Sequence, residues 1–324
     1  MVNNDKLLPG NIIMAQLNKW IVLVALALVI LVFSLLNEHF FSIRTFYSIG
    51  MTLSVIGIIC IGQTLCILTG GFDLSVGEVA AFTAILAAYL SEKMGMNYIL
   101  VFLIAMLFGL TAGLLNGFLI SKLKVNAFIT TLAFMSIYKG CIYILSEGNS
   151  IMVRDPAFSF LGTTKIFTVP LPIIILFALY ILFFITMKYT VFGRYVYCIG
   201  GNAEAARIAG VNIDRVRILV YTLCSILAAF AGLMLASRLG AAQATAGGSY
   251  ALDSVAAVVL GGTALSGGKG NMLGSFLGIA ILGTLQTGLI MIQMPVYYQF
   301  VATGLVLIIA VLLQTFEAHS KKTA

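Results

Sequence analysis

The sequence predicts an all-α fold, a polytopic bundle of about ten transmembrane helices with both termini on the cytoplasmic side. Three observations carry this expectation. Apolar residues fill 61% of the 324 positions and charged residues only 9%, with a mean hydropathy of +1.10. A water-soluble domain keeps about 25% charge to hydrate its surface. The apolar residues gather in runs near 20 residues, the length that carries a helix across the hydrocarbon core. The positive charges between the runs are unevenly divided, as topology demands. A membrane barrel is excluded because its strands alternate in short segments.

Taken in order, the expected spans are 20–36, 49–69, 76–90, 98–121, 126–145, 167–187, 218–237, 251–265, 272–294 and 298–313. They form one membrane domain over 20–315, between a cytoplasmic segment 1–19 and a cytoplasmic tail 316–324. The first span opens at Trp20, after a segment with no short apolar run ending in a small-residue cleavage site, so no cleaved signal is expected. The third, eighth and tenth are short for a crossing of about 20 residues and are expected to be broken, tightly packed or differently bounded. The fourth carries Gly109-x-x-x-Gly113-x-x-x-Gly117, a small-residue ridge that lets two helices approach closely, although glycine is also simply common in membrane helices. The connection 146–166, with Pro156, is expected to hold a short surface helix. With both ends cytoplasmic, the inside segments hold 12 Lys and Arg and the outside segments five. That bias supports the even count of spans.

The polar stretch 188–217 is the longest interruption. It carries Lys188, Arg194, Arg207, Arg215 and Arg217 against Glu204 and Asp214, and it is the natural handle for a soluble partner. Asn202 is placed to cap a short helix here and Gly210 to end it. The formal charge of +7 is not a nucleic-acid signal, because the positives sit in short loops. Five cysteines without CxxC spacing and two histidines predict no metal site and no cofactor.

Paired glycines punctuate the chain twice. Gly70-Gly71-Phe72-Asp73-Leu74-Ser75-Val76-Gly77 joins the second and third spans, and Gly261 to Gly268 repeats Gly-Gly-x-x-Leu-Ser-x-Gly. Duplication and chance in a Gly-rich chain both produce such a repeat. Asp73 is costly in hydrocarbon and is expected to cap a helix starting near Leu74, or else to face the solute path. Leu265-Ser266-Gly267-Gly268-Lys269 superficially matches the signature of ATP-binding subunits, but the chain lacks a GxxxxGK[ST] loop, and nucleotide binding is rejected. Lys139 must pair, snorkel or line an aqueous route. Gln63, Thr64, Asn116, Asn126, Thr130, Gln286 and Gln299 are candidates for a neutral path suited to a hydroxylated solute, and helix–helix hydrogen bonds account for several equally well. No nucleophile–base set or carboxylate pair is evident, so no enzymatic activity is expected. An ion-coupled carrier is the main rival class, weakened by the shortage of membrane acids.

Four stretches, LTGGFDLSVG (68–77), NAFITTLAFMSIYKG (126–140), GRYVYCIGGNAEAARIAGVNIDRVRILVY (193–221) and YALDSVAAVVLGGTALSGGKG (250–270), resemble the permease subunits of bacterial ABC importers for monosaccharides of the ribose/xylose/arabinose type. The resemblance spans roughly 45–315. It implies a multi-pass protein of the bacterial inner or plasma membrane, without catalysis of its own, that forms an alternating-access path. It further implies a second permease subunit, a cytoplasmic ATPase, an extracytoplasmic sugar-binding protein and a monosaccharide substrate. Glu204-Ala205-Ala206 with Arg207 and Gly210 looks like the coupling segment that docks on the ATPase, and Gln243, Thr245, Tyr250 and Asp253 fall at the extracytoplasmic gate or docking face. The sequence departs from the family pattern in placing Ala244 for Pro, Ala251 for Glu and Lys139 for Arg. Autoinducer or nucleoside-like solutes are alternatives within the same reading.

Overall fold

The computed structural model describes residues 9–305 and 308, with side chains from residue 22 onward. Residues 1–8 of the amino-terminal segment, the tail 316–324 and the end of the tenth expected span lie outside the described residues. The helices are α1 (Pro9–Leu36), α2 (Ile43–Leu68), α3 (Val76–Glu92), α4 (Tyr98–Ser121), α5 (Ala127–Ser146), α6 (Phe160–Thr163), α7 (Leu171–Tyr189), α8 (Val191–Gly201), α9 (Ala203–Ile208), α10 (Ile213–Leu239), α11 (Tyr250–Leu260) and α12 (Met272–Met291). A further helical stretch covers 296–305. The strands are two-residue pairs, β1 (Ile151–Met152) with β4 (Ala241–Ala242) and β2 (Lys165–Ile166) with β3 (Val169–Pro170), both antiparallel.

Among the described residues six helices are long and apolar enough to cross a membrane: α2, α4, α5, α7, α10 and α12. A helix overlaps each of the ten expected spans, but several edges differ for local reasons. α2 starts earlier, at Ile43, where the Ser42 side chain accepts from the Thr45 N–H and satisfies an orphan amide. α7 starts later because the β2–β3 hairpin occupies its expected first turn. α11 stops at Leu260, as Gly262 takes a φ of +86° that side chains resist,. The 146–166 connection does carry short helical turns, at Pro156–Ser159 and in α6.

α2 is the axis of the bundle. Every residue from Leu53 to Leu68 is buried, as befits a helix apolar on all sides. α10 lies against it, and the two meet at Gly62, where a Cβ would lie 2.7 Å from Cα of Cys224. The α4 ridge faces α10 as its spacing suggested: a Cβ on Gly113 would lie 2.5 Å from Cα of Thr222, and one on Gly117 2.7 Å from Cα of Ile218. Gly232 of α10 in turn packs on the backbone of Ala80 in α3. Small residues therefore set the spacing of four helices, and dispersion contacts between their backbones hold it.

The bundle has two distinct ends. One holds β1–β4, α6 and the contact of Arg154 with Glu92 at 3.8 Å; there the Gly162 N–H donates to Ser237 Oγ at 2.8 Å. The other holds α8, α9 and the pairs of Lys122 and Lys124 with Asp214 at 3.2 and 2.8 Å, which tie the end of α4 to the start of α10.

Gly113→Leu is expected to force α4 off α10 and to destabilise the purified protein by about 1–3 kcal/mol or more. Gly140→Ala, with nothing within 4 Å of the added carbon, is expected to leave the thermal midpoint of the isolated chain in detergent unchanged.

Candidate functional site

The turn after α2 is built by glycine geometry and closed by a buried carboxylate. Gly70 adopts a φ of +81°, and Asp73 is fully buried. Asp73 Oδ1 accepts from the Ser75 N–H at 2.8 Å and from Ser75 Oγ at 2.5 Å, while Oδ2 accepts from Asn116 Nδ2 at 3.3 Å. Asn116 also donates to Ser75 Oγ at 3.0 Å. The helix begins at Val76, where the third span was expected and not near Leu74 as the capping reading supposed, so Asp73 braces the turn before it. Just beyond, Gly77 packs backbone to backbone with Gly247 of the turn that precedes α11.

The polar residues expected along one path are dispersed by the fold. Thr64 Oγ1 lies 2.6 Å from Cys60 O and 2.9 Å from Ser275 Oγ, a hydroxyl contact that joins α2 to α12. Asn126 accepts from the Phe128 and Ile129 amides at the head of α5, and Thr130 bonds back to Asn126 O. Gln63 is fully buried in α2. Lys139 instead stands exposed on α5, beside exposed Ser136 and Gly140, with Glu78 of α3 within electrostatic reach. Gln286 of this set lines a cavity.

That cavity is a cup of about 320 Å³ at the β1–β4 end, walled by α2, α10, α11, α12 and residues 296–303. Arg238, Tyr250, Asp253, Gln286 and Gln299 line it, with Phe300 at one side. Arg238 Nη1 donates to Met51 O at 2.8 Å, and Asp253 lies beside the Ser249 and Gln286 side chains. Tyr250 and Asp253 thus belong to the cup, whereas Gln243 and Thr245 are exposed on the adjoining turn. Gln299 was, like Gln286, a candidate for the neutral path; Arg238 escaped notice as a site residue because in sequence it merely ends an apolar run, and only folding places it in the same cup as Asp253.

The opposite end carries two short helices where the sequence suggested one. α8 is the addition, entered through Thr190, whose side chain accepts from the Gly193 N–H. In α9, Asn202 Oδ1 accepts from the Ala205 N–H at 3.0 Å and Gly210 leaves the helix at a φ of +84°. Ala206 points inward; Glu204, Ala205 and Arg207 are exposed, and Ile208 is 81% exposed at the tip. Arg207 Nη2 bonds Glu204 Oε1 at 2.6 Å, and that hydrogen bond raises the guanidinium pKa further above its ordinary range. Gly200 presses on the backbone of Leu68 and Gly268, and the Gly268 N–H donates to Leu68 O at 3.0 Å. Tyr197 adds a hydrogen bond to Gly270 O at 3.0 Å. The two glycine turns of the sequence, one after α2 and one before α12, therefore meet at the end of α8.

The profile of the family described as branched-chain amino acid transport system / permease component matches residues 45–311. The chain belongs to this permease family. The permease is 38% identical over 290 residues to the ribose import permease protein RbsC of Bacillus subtilis, covering 89% of this chain and 90% of that one. It is 37% identical over 294 residues to RbsC of Escherichia coli K12, at 90% and 91% coverage, and 36% identical over 309 residues to the L-arabinose transport system permease protein AraH of the same strain, at 93% and 92%. No solved structure matches it significantly. With its six apolar helices, the permease is a multi-pass protein of the cell membrane.

Asp73→Ala is expected to orphan donors on Ser75 and Asn116, each worth about 1–3 kcal/mol when buried and unmatched. A lowered thermal midpoint, with the chain still inserted in the membrane, is the result to look for.

Proposed function

We propose that this permease is the membrane subunit of an ATP-driven sugar importer, which passes a monosaccharide from an extracytoplasmic binding protein to the cytoplasm and draws its energy from a separate ATPase. The family description names amino acids, but the relatives aligned over nine-tenths of their length are ribose and arabinose permeases. The sugar reading follows them. The observation that carries the division of labour is α9. It is a rigid, capped, solvent-facing helix, its exposed face made of Glu204, Arg207 and Ile208. An isoleucine held out in water at a helix tip is the kind of anchor a partner's pocket buries.

In this reading ten helices cross the membrane, both termini are cytoplasmic, and the end bearing α8 and α9 faces the cytoplasm. The bias of Lys and Arg toward that side supports the orientation. α5 supports a dimer. Only 22% of its most apolar window is buried, against 89% for α2, and Lys139 projects from its open face roughly 18 Å along the helix. An ammonium facing lipid at that depth is costly; Glu78 of the same chain lies within its electrostatic reach, and a second copy across a hydrated path would supply the water. Catalysis has no place in the scheme, since the ATPase supplies the chemistry and this chain the route. The domain is continuous over 20–315, with 188–217 as its coupling loop.

Co-purification of the ATPase from a mild-detergent extract tests the reading. Glu204→Arg, Arg207→Glu and Ile208→Asp are each expected to reduce ATPase recovery about tenfold or more, as loss of an interface anchor does, with unchanged membrane insertion. The double swap E204R/R207E rebuilds the intrahelical pair but presents reversed charge, and it is expected to fail as well. Full ATPase recovery with all four variants would overturn the assignment of α9.

A further inference from the structure

We propose that a second cavity, between the end of α7, the helix α8 and the head of α12, is a headgroup site for an anionic phospholipid of the leaflet on the α8–α9 side. The inference is independent of which solute the permease carries. The cavity measures about 480 Å³. Lys188 lines it from the last turn of α7, Arg194 from α8 and Asn271 from the cap of α12, while Phe184, Met187 and Met272 form its apolar wall.

The charge of the lining is positive and unmatched. Lys188 and Arg194 are exposed, and neither belongs to the four ion pairs of the described residues. The Lys188 ammonium lies 5.4 and 5.1 Å from the ring centroids of Phe184 and Tyr189, so its stem follows apolar surface while its head reaches the boundary. Asn271 Oδ1 accepts from the Gly274 N–H at 2.7 Å, which leaves the side-chain NH2 as a donor. A phosphodiester fits this set: a guanidinium grips two of its oxygens and an ammonium adds a point charge. A zwitterionic headgroup would bring its own ammonium against two like charges.

The position of the cavity makes the occupant a lipid. α7 has 19 residues, roughly 28 Å of helix, so a crossing that starts at Leu171 brings Lys188 to the opposite headgroup layer. Phe177, Ile181, Phe184 and Lys188 follow one another at intervals of four, three and four, and therefore stand on one stripe of the helix. Phe177 and Ile181 are exposed, and Phe177 meets Phe276 of α12 at 5.4 Å. An apolar strip along the α7–α12 seam thus leads up to two cations, the layout of an acyl chain below a phosphate. Basic pockets between membrane helices at the cytoplasmic boundary bind such headgroups.

The site adjoins the glycine junction. Tyr197, which also lines the cavity, donates to Gly270 O at 3.0 Å, and Gly200 of the same helix presses on Leu68 and Gly268. A phospholipid seated between α7, α8 and α12 therefore braces the helices that carry α9.

The test uses the full-length permease with its ATPase in nanodiscs of phosphatidylcholine, with and without phosphatidylglycerol. Native mass spectrometry reads the lipid retained on release, and the thermal midpoint is followed in parallel. Wild type is expected to retain phosphatidylglycerol in preference to phosphatidylcholine and to melt higher in its presence. Lys188→Gln and Arg194→Gln are each expected to lower phosphatidylglycerol retention about fivefold, and about 25-fold together, as the loss of one and two cations beside an anionic headgroup does. Arg215→Gln removes an exposed charge of the same loop outside the cavity and is expected to retain the lipid in full. Equal retention of the two lipids by wild type overturns the proposal without recourse to any variant. An equal loss with Arg215→Gln overturns it in favour of diffuse attraction by the whole loop. Inorganic phosphate that raises the midpoint as phosphatidylglycerol does overturns it in favour of a soluble anion. Unaltered lipid retention in K188Q/R194Q, with ATPase recovery lost, overturns it and gives the cavity to the ATPase contact.

Discussion

The structure depends on backbone-to-backbone contact along α10. Gly62 of α2 and the Gly109, Gly113, Gly117 ridge of α4 meet it from two sides, and its own Gly232 meets Ala80 of α3. In hydrocarbon no hydrophobic force separates inside from outside, so tight van der Waals fit must decide which helices touch. A side chain at any of these glycines would prise helices apart by ångströms, and the displacement would propagate to both ends of α10. One end carries Arg238 into the cup; the other carries Asp214 to Lys122 and Lys124.

A second set of glycines does different work at the α8 end. There Gly70, Gly200 and Gly267–Gly268 bring three turns into contact: Gly200, Gly267 and Gly268 leave no room for a side chain, and Gly70, Gly267 and Gly268 take positive φ,. Helices that touch through bare backbone transmit displacement without the slack of rotating side chains. In the proposed importer this junction joins the ATPase-facing helices to α2, α11 and α12. Asp73 makes the neighbouring turn stiff, holding Asn116 of α4 and the entry to α3 in one hydrogen-bonded unit. A buried, fully engaged carboxylate resists local change more than an apolar packing would.

Much of this was legible in the chain. The 20-residue apolar runs located the long helices, and the four-residue glycine spacing allowed for a close helix contact of α4 without naming α10 as its partner. The short α9 was readable from Asn202 and Gly210. Periodicity gave no hint of α8, because its apolar face was mistaken for a loop bearing charges. Gln63, Thr64, Asn116 and Thr130 were open in sequence to two readings, a solute path or hydrogen bonds between helices. Residue type reveals that a polar group needs a partner, not whether the partner is solute, helix or turn. Thr64 found Ser275, Asn116 found Asp73, and Thr130 found its own backbone. Gln286, Tyr250 and Asp253 were singled out separately, but their convergence in one cup was not legible, since its residues are separated by up to 251 positions, from Thr52 to Thr303, and share no local pattern.

The energy source is the centre of the account, and reconstitution measures it directly. The permease would be placed in proteoliposomes with its ATPase and binding protein, and labelled ribose uptake followed with ATP alone, then with proton and sodium gradients dissipated. Uptake that requires ATP and the ATPase, and is indifferent to the gradients, is the predicted result. Uptake by the permease alone, driven by an ion gradient and insensitive to ATP, would contradict the account and establish a secondary carrier.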